Sequence, residues 1–281
     1  MLAVETWGGG ARGMIFREES MTATHAPKPT YNRLPQGESH QLLSAVLERC
    51  TRNRRTSTAA VLLDLDGTLI DNRPRTCAIF HTMARDFSSD PRPKFRDVSA
   101  VLAAVTVEQL AYLASDSLKR LGIGDAEILD EMKRFWVPRF FSDEFLDHDR
   151  PHAGAVEFVK GCYEAGATVV YFTGRDLPNM GVGTFRSLRD LGFPIASPGV
   201  ELVMKPNAAM SDEAFKSGVC ASLARTGDVI AGFDNEPANC NVMLQTFADA
   251  DVFLVDTDHV PGAPQLNASV RVIGDFKREL S

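Results

Sequence analysis

Asp64 and Asp66 stand one residue apart at the end of an apolar run, in Ala59-Ala60-Val61-Leu62-Leu63-Asp64-Leu65-Asp66-Gly67-Thr68-Leu69. Two carboxylates this close repel each other unless a cation or a shared proton offsets the charge. Other polar groups follow apolar runs further along: Thr173 after 167–172, Lys205 after 200–204 and Asp234 after 228–233. A carboxylate can attack phosphorus and form an acyl phosphate, which water then cleaves. That chemistry has three requirements. A hard divalent cation with oxygen ligands must offset the charge of nucleophile and phosphate. Hydroxyl, ammonium or backbone N–H donors must hold the phosphoryl oxygens. A further group must give and take a proton. Either Asp64 or Asp66 can attack while the other moves the proton. Asp234 can hold Mg²⁺, and Thr173 can grip the phosphoryl group together with a lysine, Lys205 or Lys216. No G-x-S-x-G motif occurs, and no histidine is placed for a Ser-His-Asp scheme.

The elements that would position these groups alternate. An apolar run bounded by a Gly-Thr turn reads as a buried strand of a parallel sheet, so 59–65 is expected to be one. Strands are likewise expected at 167–172, 200–204, 228–233, 252–255 and 270–273. Helical spacing appears at 39–50, 153–165, 180–191 and 211–224, the last with Ser211 as cap and acids in its first turn. Strands of a doubly wound sheet point the same way, so their C-terminal ends line one crevice. Asp64, Asp66, Thr173, Lys205 and Asp234 therefore fall on one sheet edge. Between 72 and 148 the pattern is helical only, over about 76–87, over 97–121 as one helix or a broken one, and over 125–141. The expected organisation is an α/β core of residues 39–71 and 149–281, an all-helical insert at 72–148, and a disordered segment at 1–38. Arg175, close to Thr173, either meets the substrate or forms a surface ion pair.

These residues together resemble the haloacid dehalogenase superfamily of phosphatases. Asp64-Leu65-Asp66-Gly67-Thr68-Leu69 is similar to its D-x-D-G-T-L motif, Thr173-Gly174-Arg175 to its second motif, and Gly232-Phe233-Asp234-Asn235-Glu236 to a variant of its acidic motif. The resemblance spans about 59–260. It implies a three-layer, Rossmann-like parallel-sheet core with a helical cap of the C1 type inserted after the first strand. It implies Asp64 as nucleophile, Asp66 as general acid/base with its main-chain carbonyl on Mg²⁺, and Thr173, Gly174 and Arg175 on the phosphate side. Asp234 would be a metal ligand, with Glu236 standing in for a missing second acid, since Asn239 occupies a place where the family often has one. Lys205 lies 29 residues before Asp234 and Lys216 lies 18 before it. A lysine carried on a helix suits the family's geometry, which favours Lys216.

The implied activity is a Mg²⁺-dependent phosphohydrolase that cleaves a small-molecule phosphate ester. The alternatives are a phosphomutase or phosphotransferase using the same intermediate, and a non-catalytic phosphate- or partner-binding protein. The bulk composition agrees with a small-molecule partner. Net charge is −7 over 281 residues, with +3 in the first sixty and −10 in the rest. Such an acidic body is a poor nucleic-acid binder, because phosphate contacts dominate that affinity. Five cysteines without a C-x-x-C pair argue against a disulfide framework or zinc site. No apolar run reaches the ~18 residues of a membrane helix, and no secretory signal opens the chain. A cytoplasmic location is the expectation.

Overall fold

Strand β1 (Ala59–Leu63) is the centre of the molecule, and all five of its side chains are buried. Successive side chains on a strand point to opposite faces, so Val61 and Leu63 enter one apolar layer and Ala60 and Leu62 another. The structure, a computed structural model, describes residues 31–53 and 58–278. In chain order the elements are α1 (Gln36–Asn53), β1, β2 (Ile70–Asp71), α2 (Arg73–Ser88), α3 (Pro93–Ala103), α4 (Ala114–Arg120), α5 (Ala126–Phe140) and β3 (Arg150–Pro151). There follow α6 (Ala155–Glu164), β4 (Thr168–Asp176), α7 (Leu177–Asp190), β5 (Val200–Lys205) and α8 (Asp212–Cys220). The chain closes with β6 (Asp228–Asp234), α9 (Pro237–Thr246), β7 (Asp251–Val255) and β8 (Arg271–Ile273).

Six strands form one parallel sheet in the order β5-β4-β1-β6-β7-β8. Helices α1 and α6 cover one face through Leu43, Val46, Cys50, Phe158, Val159 and Cys162. Helices α8 and α9 cover the other through Phe215, Cys220, Cys240 and Met243. The fold is thus the three-layer α/β sandwich with a helical insertion. The insert has its own apolar core, in which Phe80, Phe95 and Leu118 are fully buried. Truncating such a buried phenylalanine costs about 3–5 kcal/mol. The chain leaves and re-enters the core through β2 and β3, which pair antiparallel at Ile70–Pro151 and Asp71–Arg150.

Several elements differ from the sequence expectation or sharpen it. The helical stretch 97–121 takes the broken form, as α3, a short 3₁₀ turn at 107–109 and α4. Helix α9 has little periodic contrast and starts with Pro237, so spacing alone does not reveal it. Residues 31–38 are not a structureless tail: Leu34 N donates to Val272 O at 2.9 Å, and α1 starts at Gln36. The remainder of the expected 1–38 segment, residues 1–30, lies outside the described residues. All five cysteines are free and buried. Among the described residues no helix is long and apolar enough to cross a membrane.

Candidate active site

Asp64 continues the β1 ladder, its N–H donating to Phe233 O of β6 at 3.0 Å. The chain then turns. Gly67 has φ +81°, in the left-handed region that favours glycine, and a side chain there would collide with Asn235. Thr68 Oγ1 lies 3.1 Å from Asp64 Oδ2 and 3.2 Å from Asn235 Oδ1. Asn235 Nδ2 donates to Asp258 O at 2.6 Å. Asn235 therefore clamps the turn after β1 to the loop after β7.

Lys216 comes from α8, whose first turn is capped by the Ser211 side chain accepting from Ala214 N. Its Nζ donates to Asp64 Oδ1 and to Asp234 Oδ2, both at 2.6 Å, and the lysine is only 4% exposed. Asp234 Oδ1 accepts from Glu236 N at 2.9 Å and from Asn239 Nδ2 at 3.1 Å. Asn239 thus stands beside Asp234 as a donor. Burial pushes the Asp64 carboxyl up to about 7; Lys216 opposes the rise, and the Asp234 and Asp66 charges add to it. Burial alone would lower the Lys216 ammonium, but Asp234 and Asp64 outweigh it and hold the proton firmly. Lys205, the other candidate, reaches Asp212 Oδ1 at 2.6 Å instead. The Asp212 carboxylate sits against Gly174, where any side chain would collide with it.

Asp66 faces the opposite way. Its Oδ2 accepts from Arg175 Nε at 2.6 Å, and its Oδ1 from Arg175 Nη2 at 2.9 Å, Arg75 Nη2 at 2.8 Å and Asn72 Nδ2 at 3.2 Å. Asp149 completes the group, accepting from Arg75 at 2.9 and 2.6 Å and from Arg175 at 2.8 Å. Arg75, Asp149 and Arg175 are all but inaccessible. Burial raises the Asp66 carboxyl, but Arg175 and Arg75 overcome it and hold it well below the usual carboxylate range. The reading of Arg175 as a surface ion pair is therefore corrected: this arginine is buried and bidentate on Asp66. Thr173 is fully buried at the same edge, its Oγ1 accepting from Arg175 N at 3.2 Å. Asp176 caps α7, accepting from Asn179 N at 3.1 Å, because β4 runs four residues further than the apolar run 167–172.

Glu236 does not turn toward Asp64 and Asp234. Both its oxygens accept from Val260 N at 3.1 Å, and Oε1 accepts from Tyr112 Oη at 3.0 Å. The expected metal-ligand role for Glu236 therefore has no support in its orientation. Burial raises its carboxyl to about 7; Val260 N opposes this and Asp234 adds to it. Among the described residues no three His, Cys, Asp or Glu side chains converge as a metal cage. Asp64 and Asp234 share the single Lys216 ammonium, and Glu236 lies in its field without a hydrogen bond to it. Mg²⁺ typically keeps several waters and takes only one or two carboxylates plus substrate phosphate. Asp64 and Asp234 fit that demand, with the Asp66 main-chain carbonyl beside them in sequence.

Sequence reading missed Arg75, Asp149, Asn235 and Tyr112. For Arg75 a signal existed. It shares the i, i+4, i+8 stripe of Ile79 and Met83, both buried, and a charge on an apolar helix face needs a buried partner. Asp149 and Tyr112 lie in irregular connections where spacing carries no such information. The insert aromatics Trp136 and Phe140 stack at 4.2 Å, with the Arg75 guanidinium 4.6 Å from the Phe140 ring centre.

No family model matches the chain, and no curated protein matches it. Solved structures are similar in architecture at low identity. A haloacid dehalogenase-like hydrolase from Streptococcus pneumoniae is 11% identical, covering 70% of this chain and 83% of that one, with a TM-score of 0.40. Protein tyrosine kinase A of Mycobacterium tuberculosis is 16% identical, covering 78% and 94%, with a TM-score of 0.48. The class C acid phosphatase of Bacillus anthracis is 14% identical, covering 76% and 73%, with a TM-score of 0.36. All three likenesses are at 16% identity or less, with TM-scores below 0.5.

Proposed function

We propose that the protein is a phosphohydrolase that cleaves a small phosphate monoester through a phosphoaspartyl intermediate on Asp64. The observation that carries this reading is the Lys216 ammonium, 2.6 Å from both Asp64 and Asp234 at the end of the central strand. Asp64 attacks phosphorus, and the bond to the leaving oxygen breaks. Lys216, Thr173 and the N–H of Gly174 are the donors nearest in the fold for the phosphoryl oxygens, where developing charge is stabilised. Bound Mg²⁺ would supply charge neutralisation between nucleophile and phosphate, held by Asp64, Asp234 and the Asp66 carbonyl.

Asp66 is the proton carrier. With both guanidiniums in place it is held ionised. Taking a proton from the attacking water, and giving one to a leaving group, both require Arg75, which belongs to the insert, to move away. Leaving groups that depart without full protonation, such as phenolates, are therefore favoured. The decisive test is a panel of phosphate esters assayed with and without Mg²⁺. Phosphate release from an aryl ester that disappears in Asp64→Asn, with the fold retained, is the expected result. Wild-type rates in Asp64→Asn would reject the nucleophile.

A further inference from the structure

Polar contacts join the insert to the catalytic edge on two sides, and the two sides are unlike. On the side where β2 and β3 connect the insert covalently, Arg75 is locked into the buried group of Asp66, Asp149 and Arg175. On the other side the Tyr112 hydroxyl donates to Glu236 Oε1 at 3.0 Å. Tyr112 lies between the 3₁₀ turn 107–109 and α4, and 43% of its surface is open. Its hydroxyl lies in the field of Asp212 and Asp64 as well as Glu236. Glu236 is itself fixed by Val260 N and leads directly to Asp234 through its own N–H.

In-line displacement puts the leaving group on the side of phosphorus opposite the attacking oxygen. With Asp64 at a strand end, that side faces outward, toward the insert. We infer that Tyr112 is the insert's substrate-facing residue: it contacts the leaving group of the ester and sets specificity there, whereas the phosphoryl group is held by the core. This rests on the phosphatase reading above. A ring with 43% of its residue surface open and a hydroxyl is suited to a ring-bearing leaving group, since aromatic pairs add up to about tenfold in affinity beyond burial.

The test separates the two halves of the substrate without turnover. The full chain in Mg²⁺ is titrated calorimetrically with phenylphosphonate and with methylphosphonate, which share the phosphoryl head and differ in the ring. Wild type is expected to bind both, phenylphosphonate more tightly. In Tyr112→Ala, phenylphosphonate should weaken by about tenfold, with methylphosphonate within about twofold. Tyr112→Phe, which keeps the ring, should recover most of the loss. Equal weakening of both ligands would mean that Tyr112 only positions the insert, and no weakening of either would remove it from the site; both overturn the inference. Failure of wild type to bind either phosphonate would instead overturn the phosphatase reading, and the inference with it.

Discussion

The two carboxylates of Asp64-Leu65-Asp66 come from one tripeptide and end in opposite electrostatic settings. Around Asp66, two carboxylates meet two guanidiniums, so charge balances within the buried group. Around Asp64, two acids share one ammonium, and a third acid, Glu236, stands nearby on Val260 N and Tyr112. The balanced cluster ties the insert's first helix to the core beside the β2–β3 crossover, and every member is hydrogen-bonded. The unbalanced cluster holds a carboxyl whose proton affinity is raised to about 7, and it gains from any added cation. The same residue type is thus charge-balanced within a buried group on one side and left unbalanced on the other. The difference lies wholly in what stands opposite.

Breaking the balanced side should have the largest effect. Arg75→Ala leaves Asp66 and Asp149 with one arginine between them in a buried site, and removing one partner of such a group costs about 3–5 kcal/mol. Urea unfolding at neutral pH should register that loss. A change below about 1 kcal/mol would mean that the group is not the anchor described. On the unbalanced side, Lys216→Met should lower phosphate-ester hydrolysis by about 10²–10³-fold, the scale of a lost transition-state donor. Lys205→Met should cost far less, because that ammonium is already neutralised by Asp212. Equal losses from the two substitutions would erase the distinction.

The smallest effect is also the sharpest, because the two aspartates should carry opposite pH signatures. The folded pKa of Asp66 lies below its unfolded value near ~3.9. Its contribution to stability is therefore present above ~pH 4 and is lost as pH falls toward the folded value. For Asp64 the folded pKa is raised to about 7. From ~pH 4 to 7 the folded state keeps a proton that the unfolded state has released, so stability declines as pH rises through that window. Chemical unfolding of Mg²⁺-free protein should show Asp64→Asn gaining on wild type between pH 5 and 8. Asp66→Asn should be least damaging at the acid end. Curves that run parallel to wild type in both variants would contradict the assignment of the two environments.

Much of the core was legible in the chain. Apolar runs ending in Asp64, Thr173, Lys205 and Asp234 mark parallel strands, and parallel strands bring their C-terminal ends to one edge. The break from strand–helix alternation to purely helical spacing delimits the insert to within a few residues of α2 and of the 3₁₀ turn at 143–148. Local chemistry also fixed Gly67, since the turn after Asp66 needs a positive φ.

Tertiary structure decided the rest. Lys205 and Lys216 are equivalent as residue types; only the docking of α8 against β4 and α9 aims Lys216 at Asp64 and leaves Lys205 to Asp212. Glu236 stands in a motif-like position, yet Val260 N and Tyr112 turn its carboxylate away from Asp234. Arg75 and Asp149 are 74 residues apart and come together because the insert leaves and returns at the same two-strand junction. Sequence periodicity specifies which face of an element is buried. It does not specify which distant charge that face will meet, and in a low-dielectric interior that partner determines whether an aspartate's proton affinity is lowered or raised.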